Sequence, residues 1–249
     1  VRSRRQRQMC IRDRNVPSEQ EVKTNGINVG ETNALLLQKI EELTLYVIQQ
    51  QKAMEQQQKE IEELKSKITN KTKMMIINNP SNPTGAVYQK GTLEKVCQLA
   101  RENNILILAD EIYNQLDYEK QYVSIASFEN MKDYTIIVNG FSKAYAMTGW
   151  RMGYIAASKK HIDHILKVHQ YTTTSQMTFA QIGMAKSIDQ EDVKKEVQHM
   201  IQTFHERRTF IMEQLDQCEN LSYIKPHGAF YIMAVSYTHL RAHETSLHL

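Results

Sequence analysis

The chain has 249 residues, of which 41% are apolar, and it carries a formal net charge of +3. This length and composition predict one soluble globular domain with appendages, and the apolar runs fall short of the ~20 residues that a membrane-spanning helix needs. The small excess of basic residues is concentrated at one end, so the net charge does not indicate a nucleic-acid partner. The three cysteines, Cys10, Cys97 and Cys218, lie far apart and match no metal-ligand spacing, which favours a reduced, cytoplasmic protein without a bound metal.

The amino-terminal residues 1–32 are predicted to be a disordered or non-native basic end followed by a polar linker. Residues 1–14 contain six arginines and one aspartate, a composition that a basic arm for nucleic acid or a membrane would also show. However, residues 8–13, with the sequence QMCIRD, resemble translated sequencing adapter, and residues 236–249 have the same character. We therefore interpret both ends as sequence foreign to the folded protein.

Residues 33–69 show a heptad repeat without an internal glycine or proline. Such a repeat predicts a coiled-coil helix, here about 50 Å long. Self-association is the function that this pattern indicates, and a single helix folded onto the domain is the alternative. The first seam position holds Ile40, Val47, Met54, Ile61 and Ile68, and the second holds Leu36, Leu43 and Leu64, with Gln50 and Gln57 as interruptions.

From residue 70 onward, strand-like and helix-like segments alternate, which is the pattern of an α/β domain. The continuous apolar run at 105–109 is typical of a parallel strand that is buried on both faces. We predict a doubly wound, mainly parallel sheet over residues 70–189, followed over 190–235 by a long helix and the start of a truncated small domain. Strands are predicted at 74–78, 105–109, 134–138 and 151–157, and helices at 92–103, 159–170, 176–188 and 190–218.

The segment 140–154, GFSKAYAMTGWRMGY, follows a predicted strand and carries the chemistry of interest. Open α/β sheets bind ligands at the carboxyl ends of their strands, where Lys143 is expected to lie. A lysine at such a position can form a Schiff base with an aldehyde. Arg151 follows eight residues later, and its guanidinium is suited to a phosphate group. A lysine for an aldehyde and an arginine for a phosphate together indicate pyridoxal phosphate.

Segment 140–154 resembles the cofactor-lysine motif of the class I/II pyridoxal-phosphate aminotransferases of fold type I. Three further segments resemble motifs of the same family in the same order: 79–85 (NPSNPTG), 109–113 (ADEIY) and 226–231 (PHGAFY). The likeness extends over about residues 68–235, roughly two thirds of the chain. It implies transfer of an amino group between an amino acid and a 2-oxo acid, with pyridoxal phosphate as cofactor and a homodimer as the usual assembly.

The resemblance also implies a role for each of six residues, and a cis peptide bond between Asn82 and Pro83. Lys143 would form the Schiff base and then carry a proton, and Asp110 would keep the pyridine nitrogen protonated in preference to its neighbour Glu111. Two side chains would bind the phenolic oxygen of the ring and two the phosphate. The first two are Asn82 and Tyr113, and the second two are Ser142 and Arg151.

The chain also departs from the family pattern. Many relatives have a hydroxyl residue where this chain has Gly140, and neither a glycine-rich phosphate turn nor an aromatic that stacks on the cofactor is visible upstream of Met74. The arginine that binds the substrate carboxylate is expected beyond the 226–231 segment, where the chain has no match. We therefore expect an incomplete aminotransferase with weak or no activity. The alternatives are an oligomerising structural protein with an inert α/β remnant, and a pyridoxal-phosphate-dependent β-lyase.

Overall fold

A computed structural model of the protein describes Gln20, Lys23 and residues 28–236. Most of the predicted basic end and nearly all of the predicted non-native tail therefore lie outside the described residues. Contacts between residues divide the chain into two units, Val1–Glu62 and Glu63–Leu249. Within the described residues, no helix combines the length and the apolar character needed to cross a bilayer.

The first described element is the helix α1, Val29–Lys67, which has 39 residues. The predicted helix is therefore present, about 58 Å long at 1.5 Å per residue. Apolar side chains of both heptad seams are exposed along it, among them Leu36, Ile40 and Leu43. The coiled-coil pairing of this helix remains a prediction.

The second unit contains a four-stranded sheet in the order β1-β2-β3-β4. Strands β1, β2 and β3 are parallel, and β4 pairs antiparallel with β3. The predicted α/β fold with a mainly parallel sheet is therefore confirmed. The strands are β1 (Met74–Asn78), β2 (Leu106–Asp110), β3 (Thr135–Gly140) and β4 (Gly153–Ala156).

Helices occupy the positions that the apolar spacing predicts, with ends that differ by a few residues. In α2, the apolar positions Leu93, Val96, Cys97 and Ala100 recur three or four residues apart, and all are buried. Because this spacing gives one apolar face, the helix contributes to the core of the unit. The helices of the second unit are α2 (Lys90–Glu102), α3 (Lys159–Thr172), α4 (Thr178–Ser187) and α5 (Glu191–Leu215).

The last described elements form a separate two-stranded sheet. Strand β5 (Leu221–Tyr223) pairs antiparallel with β6 (Ala234–Ser236). Ser236 pairs with Leu221 in this sheet, although the sequence pattern placed residue 236 at the start of the foreign tail. The segment between these two strands, residues 224–233, leaves the small sheet and packs on the loops at the strand ends of the large sheet, as described below.

Candidate functional site

The carboxyl ends of the three parallel strands meet at one edge of the sheet. Asn78 pairs with Asp110, and Asp110 pairs with Val138. The backbone continues this pairing beyond the strands, because Asn79 N–H donates to the Asp110 carbonyl over 3.1 Å and Glu111 N–H donates to the Val138 carbonyl over 2.9 Å. The segments that carry the candidate site residues therefore begin from a common, fixed edge, which is where open α/β sheets bind ligands.

Asp110 and Glu111 make different contacts although they are neighbours in the chain. Asp110 accepts a hydrogen bond from the Ile112 N–H through its Oδ1 atom, over 3.2 Å. Glu111 is buried and accepts a hydrogen bond from the Ser124 hydroxyl over 2.7 Å. Burial, and next the Glu111 carboxylate, raise the pKa of Tyr122 above its ordinary value. Glu111 is thus buried and bonded to Ser124, a separate environment from that of Asp110.

The loop after β1 brings Asn82 to the same edge. Asn82 N–H donates to the Asn78 side-chain oxygen over 2.6 Å. The predicted cis bond between Asn82 and Pro83 is confirmed, and the bond between Asn79 and Pro80 is also cis. Both bonds lie in the loop that follows β1. This second cis bond was not foreseen from the sequence.

Gly85 closes this loop against residues 226–231. Its φ of +69° lies in the left-handed region, and a Cβ atom on it would lie 2.4 Å from Pro226 Cβ. The Gly85 carbonyl accepts hydrogen bonds from the N–H groups of His227 and Gly228, each over 2.8 Å. The position therefore requires glycine both for its backbone conformation and for the close approach of the second segment.

Four side chains form what we term the tyrosine cluster: Asn82, Tyr113, Phe230 and Tyr231. The Tyr113 and Tyr231 hydroxyls lie 2.7 Å apart, and the Asn82 amide donates to the Tyr231 hydroxyl over 3.4 Å. The rings of Tyr113 and Phe230 meet edge to face with their centroids 5.4 Å apart. Tyr113 is only 3% exposed. Two predicted site residues, Asn82 and Tyr113, are thus brought together, and Tyr231 links them.

Burial is the main reason why the pKa of Tyr113 is raised above the ordinary tyrosine value. The Tyr231 hydroxyl and the negative charge of Asp110 raise it further, and the Asn82 amide opposes them. Tyr113 therefore keeps its proton across the physiological pH range and can act as a hydrogen-bond donor. The Asp110 carboxylate is held close by, because its Oδ1 atom accepts the N–H of Ile112, the residue before Tyr113.

Lys143 lies in the loop after β3 and reaches the tyrosine cluster. Its Nζ atom is 5.7 Å from the centroid of the Tyr113 ring and 5.5 Å from that of Phe230. At these distances an ammonium group is attracted by the electron-rich faces of aromatic rings. The structure therefore brings Lys143 together with Tyr113, and through Tyr113 with Asp110 and Asn82.

Ser142 and Arg151, the two predicted phosphate-binding residues, differ from each other in exposure. Ser142 is half-buried beside Lys143, whereas Arg151 is exposed. The Arg151 guanidinium donates to the Thr148 carbonyl over 3.1 Å, within its own turn. Arg151 has φ +53°, so the chain turns there before β4 begins at Gly153. Within the described part of the chain, no hydrogen bond connects Arg151 with Lys143, Asp110 or Tyr113.

Gly140 has no space for the hydroxyl side chain that many family members are expected to carry there. A Cβ atom on Gly140 would lie 2.8 Å from the Met152 carbonyl oxygen and 2.9 Å from Gly153 Cα. This close approach results from the antiparallel pairing of Gly140 with Gly153. In this chain, the absence of a side chain at position 140 therefore allows β3 and β4 to lie close together.

The segment that carries Phe230 and Tyr231 is held by charged residues around Glu119. The Glu119 carboxylate lies 3.0 Å from Lys225 Nζ and 2.9 Å from His227 Nδ1. Arg208 of α5 is buried and donates to the Pro226 carbonyl over 2.8 Å. Burial raises the pKa of Glu119, but the hydrogen bonds and positive charges of Lys225 and His227 outweigh burial, so the pKa is lowered overall.

A cavity of about 680 Å³ lies elsewhere, between β4, α3 and α4. Phe141, Tyr154 and His169 are among its lining residues, and none of the six predicted site residues lines it. This cavity therefore lies apart from the predicted site residues. Among the residues that the structure describes, no group of three or more His, Cys, Asp or Glu side chains is arranged to hold a metal ion.

Parallel strands whose carboxyl edge gathers a lysine, an aspartate, an asparagine and a tyrosine define an α/β protein with a polar strand-end site. Comparison with known proteins specifies the family: the chain belongs to the aminotransferases of class I and II, whose family model matches residues 36–247. This match confirms the predicted family and extends beyond the predicted range 68–235 at both ends.

Individual relatives match a shorter part of the chain. An aspartate aminotransferase from Pyrococcus abyssi is 41% identical over 173 residues, which cover 69% of this chain and 44% of the relative. Among solved structures, an aromatic aminotransferase from Pyrococcus horikoshii has a TM-score of 0.67 at 40% identity, covering 69% of this chain and 46% of that one. An aspartate aminotransferase from Thermus thermophilus with maleate has a TM-score of 0.66 at 36% identity, covering 70% and 45%. The chain thus spans less than half the length of these relatives.

Proposed function

We propose that this chain binds pyridoxal phosphate through Lys143 and takes part in amino-group transfer between an amino acid and a 2-oxo acid. The observation that carries the proposal is the gathering of Lys143, Tyr113 and Asn82 at the edge of the sheet where Asp110 ends β2. Similar proteins are named as aspartate and aromatic-amino-acid aminotransferases, which favours an amino acid of one of these two kinds as substrate. The family further suggests a cytoplasmic homodimer.

The donor chemistry of the site fits this cofactor. When bound, pyridoxal phosphate withdraws electrons from the carbon next to the substrate nitrogen. Asp110 is a carboxylate suited to hold a proton on a ring nitrogen, and the Tyr113 hydroxyl and the Asn82 amide are suited to donate to a ring oxygen. Ser142 and Arg151 are the residues that would hold the phosphate.

Lys143 is assigned two tasks in this proposal. Its Nζ atom would hold the cofactor by condensing with the aldehyde with loss of water, and the same atom, once the substrate amine has taken its place, would remove or return the proton at the substrate Cα. The rings of Tyr113 and Phe230 lie within about 6 Å of this atom and would keep it beside the cluster.

The test is covalent capture of the cofactor. Pyridoxal phosphate is added to the purified chain, its visible absorbance is recorded, and the bond is reduced with borohydride before peptide mapping. We expect a saturable visible band and a label on Lys143. Lys143→Ala should lose both, whereas Lys160→Ala, at an exposed lysine of α3, should lose neither. A parent chain without a saturable band, or a label spread equally over surface lysines, would contradict the proposal.

Amino transfer and β-elimination both begin from the same lysine and aspartate, so product analysis distinguishes them. An aminotransferase converts the amino acid into its 2-oxo acid only when a 2-oxo acid acceptor is supplied. A β-lyase releases ammonia and an oxo acid without an acceptor. We expect acceptor dependence, because the similar proteins are named as aminotransferases.

A second candidate function, self-association through α1, is favoured by the exposed seam of that helix. Leu43 is 58% exposed and Val47 is 50% exposed, at positions that face a partner in a heptad repeat. Sedimentation should show an oligomer that Leu43→Glu dissociates. Leu45 is 67% exposed but lies off the seam, so Leu45→Glu should leave the oligomer intact. A monomeric parent, or equal effects of both substitutions, would contradict this function.

A further inference from the structure

Tyr231 occupies a central place between two residues of the proposed cofactor site. Its hydroxyl lies 2.7 Å from the Tyr113 hydroxyl and 3.4 Å from the Asn82 amide nitrogen. These three residues come from distant parts of the chain, separated by 118 and 149 positions. A contact between such distant residues exists only because the tertiary structure brings their segments together.

The backbone around Tyr231 is tied to both segments that it links. Toward the loop of Asn82, the N–H groups of His227 and Gly228 donate to the Gly85 carbonyl, each over 2.8 Å. Toward the segment of Tyr113, Ala229 N–H donates to the Leu116 carbonyl over 2.8 Å. The backbone just before Tyr231 is therefore fixed to the segments of both partners, as a positioning role requires.

The hydrogen-bonding capacity of the three groups suggests one direction for the chain of donors. The Asn82 amide has two N–H bonds, so it can donate one to Tyr231 and retain the other for a ligand. A tyrosine hydroxyl donates once and accepts up to two bonds. If Tyr231 accepts from Asn82 and donates to Tyr113, Tyr113 keeps its own proton for a ligand oxygen. In the opposite direction Tyr113 uses its proton on Tyr231, which is the arrangement that the raising effect of Tyr231 on the Tyr113 pKa indicates for the chain without a ligand. A ligand oxygen beside Tyr113 favours the first direction, because it offers the Tyr113 proton a second acceptor.

We propose that Tyr231 is a positioning residue that donates to Tyr113 and accepts from Asn82, and so presents both groups together to the ring oxygen of the cofactor. This inference rests on the proposed binding of pyridoxal phosphate. Tyr231 fixes the two donors relative to each other before the ligand binds, which reduces the ordering that binding requires. In addition, a hydroxyl that accepts a hydrogen bond becomes a stronger donor, so Tyr231 strengthens the bond that Tyr113 makes.

The first measurement follows the visible absorbance of the lysine-bound cofactor as a function of pH. Donors to the ring oxygen favour its deprotonated form and lower the midpoint of this titration. The titratable or charged groups around Tyr113 are Tyr231, Asp110 and Lys143. Tyr231→Phe retains the ring packing but removes the hydroxyl, and we expect the midpoint to rise by about one pH unit, a tenfold change in proton affinity.

The signature of a positioning role is dependence on Tyr113. Tyr113→Phe should raise the midpoint by at least as much as Tyr231→Phe, and the double variant should show no further rise. Tyr223→Phe is the control, because Tyr223 bonds to Asp216 in another part of the unit, and it should leave the midpoint unchanged. An unchanged midpoint in Tyr231→Phe, or additive shifts in the double variant, would overturn the inference.

The second measurement needs no cofactor. Urea unfolding of the parent, the two single variants and the double variant gives the coupling between Tyr113 and Tyr231. We expect the change in the unfolding equilibrium constant of the double variant to differ about fivefold from the combined changes of the two single variants, as for one buried hydrogen bond. Additive effects would overturn the inference. A coupling that is present in a chain without a visible band would instead show that the hydroxyl link exists and that the proposed function is wrong.

Discussion

The tyrosine cluster and the turn that carries Arg151 are assembled in different ways. The cluster joins residues 82, 113, 230 and 231 through contacts between distant segments, and its centre is buried. The turn that carries Arg151 is exposed. The Arg151 guanidinium donates to the carbonyl of Thr148, three residues earlier in the same turn. The comparison teaches that the ring-binding side of the proposed site is organised by the fold, whereas the phosphate-binding side has the geometry of a local loop.

This difference predicts that the same substitution has a large effect on stability in one region and almost none in the other. Gly85→Ala places a Cβ atom 2.4 Å from Pro226 Cβ at a φ of +69°, so it should force the Asn82 loop away from residues 226–231. We expect a loss of about 3 kcal/mol or more in the free energy of unfolding. At Gly149, in the Arg151 turn, a Cβ atom meets nothing within 4 Å, and Gly149→Ala should change stability by less than about 0.5 kcal/mol.

Urea unfolding of both glycine variants is the measurement, and cofactor absorbance provides a second readout. Gly85→Ala should also lose the visible band, because Asn82 and Tyr231 no longer meet. Equal stability of the two variants would show that the Asn82 loop is not held by the 226–231 segment, and the contrast between the two regions would then disappear.

A smaller effect is expected at Glu119, which holds the segment of the tyrosine cluster from outside. Its pKa is lowered in the folded chain, where Lys225 and His227 outweigh the effect of burial. A lowered folded-state pKa contributes stability above the ordinary glutamate pKa of about 4.3, and this contribution is lost as the pH falls through the folded value. We expect Glu119→Gln to lose about 1–2 kcal/mol at pH 7, and the difference from the parent to shrink below about pH 4.

Glu94 supplies the matched control. It forms an exposed pair with Lys90 at 3.9 Å on α2, so Glu94→Gln should change stability by less than about 0.5 kcal/mol at either pH. The measurement is urea unfolding of both variants at pH 7 and at acidic pH. A Glu119→Gln effect that does not depend on pH would argue against the ionic explanation.

The smallest effect on stability is expected at Arg151, although its effect on binding should be clear. Arg151→Gln keeps a long polar side chain at φ +53° and should alter stability by less than about 0.5 kcal/mol. If Arg151 binds the phosphate, the variant should bind pyridoxal phosphate about tenfold more weakly. Absorbance titrations measure this affinity, with Arg101→Gln, at an exposed arginine of α2, as control. An unchanged affinity would remove Arg151 from the site.

Most of the fold could be predicted because its signals are local in sequence. The heptad repeat marks α1, apolar runs mark the strands, and spacings of three or four mark the helices. The cis bond at Asn82–Pro83 followed from the resemblance of residues 79–85 to a family motif. The antiparallel direction of β4 was less accessible, because strand direction depends on the path of the loop that joins Gly140 to its pairing partner Gly153.

The sequence by itself determined the family, the order of the elements and the position of Lys143 after a strand, since each rests on residues that are neighbours in the chain. The tertiary structure alone decided that Tyr231 joins Asn82 to Tyr113, that Gly85 has no space for a side chain, and that the Arg151 guanidinium bonds within its own turn. The physical reason is that hydrogen bonds and steric contacts between distant segments depend on how packing brings those segments together, and such contacts leave no periodic pattern in the sequence.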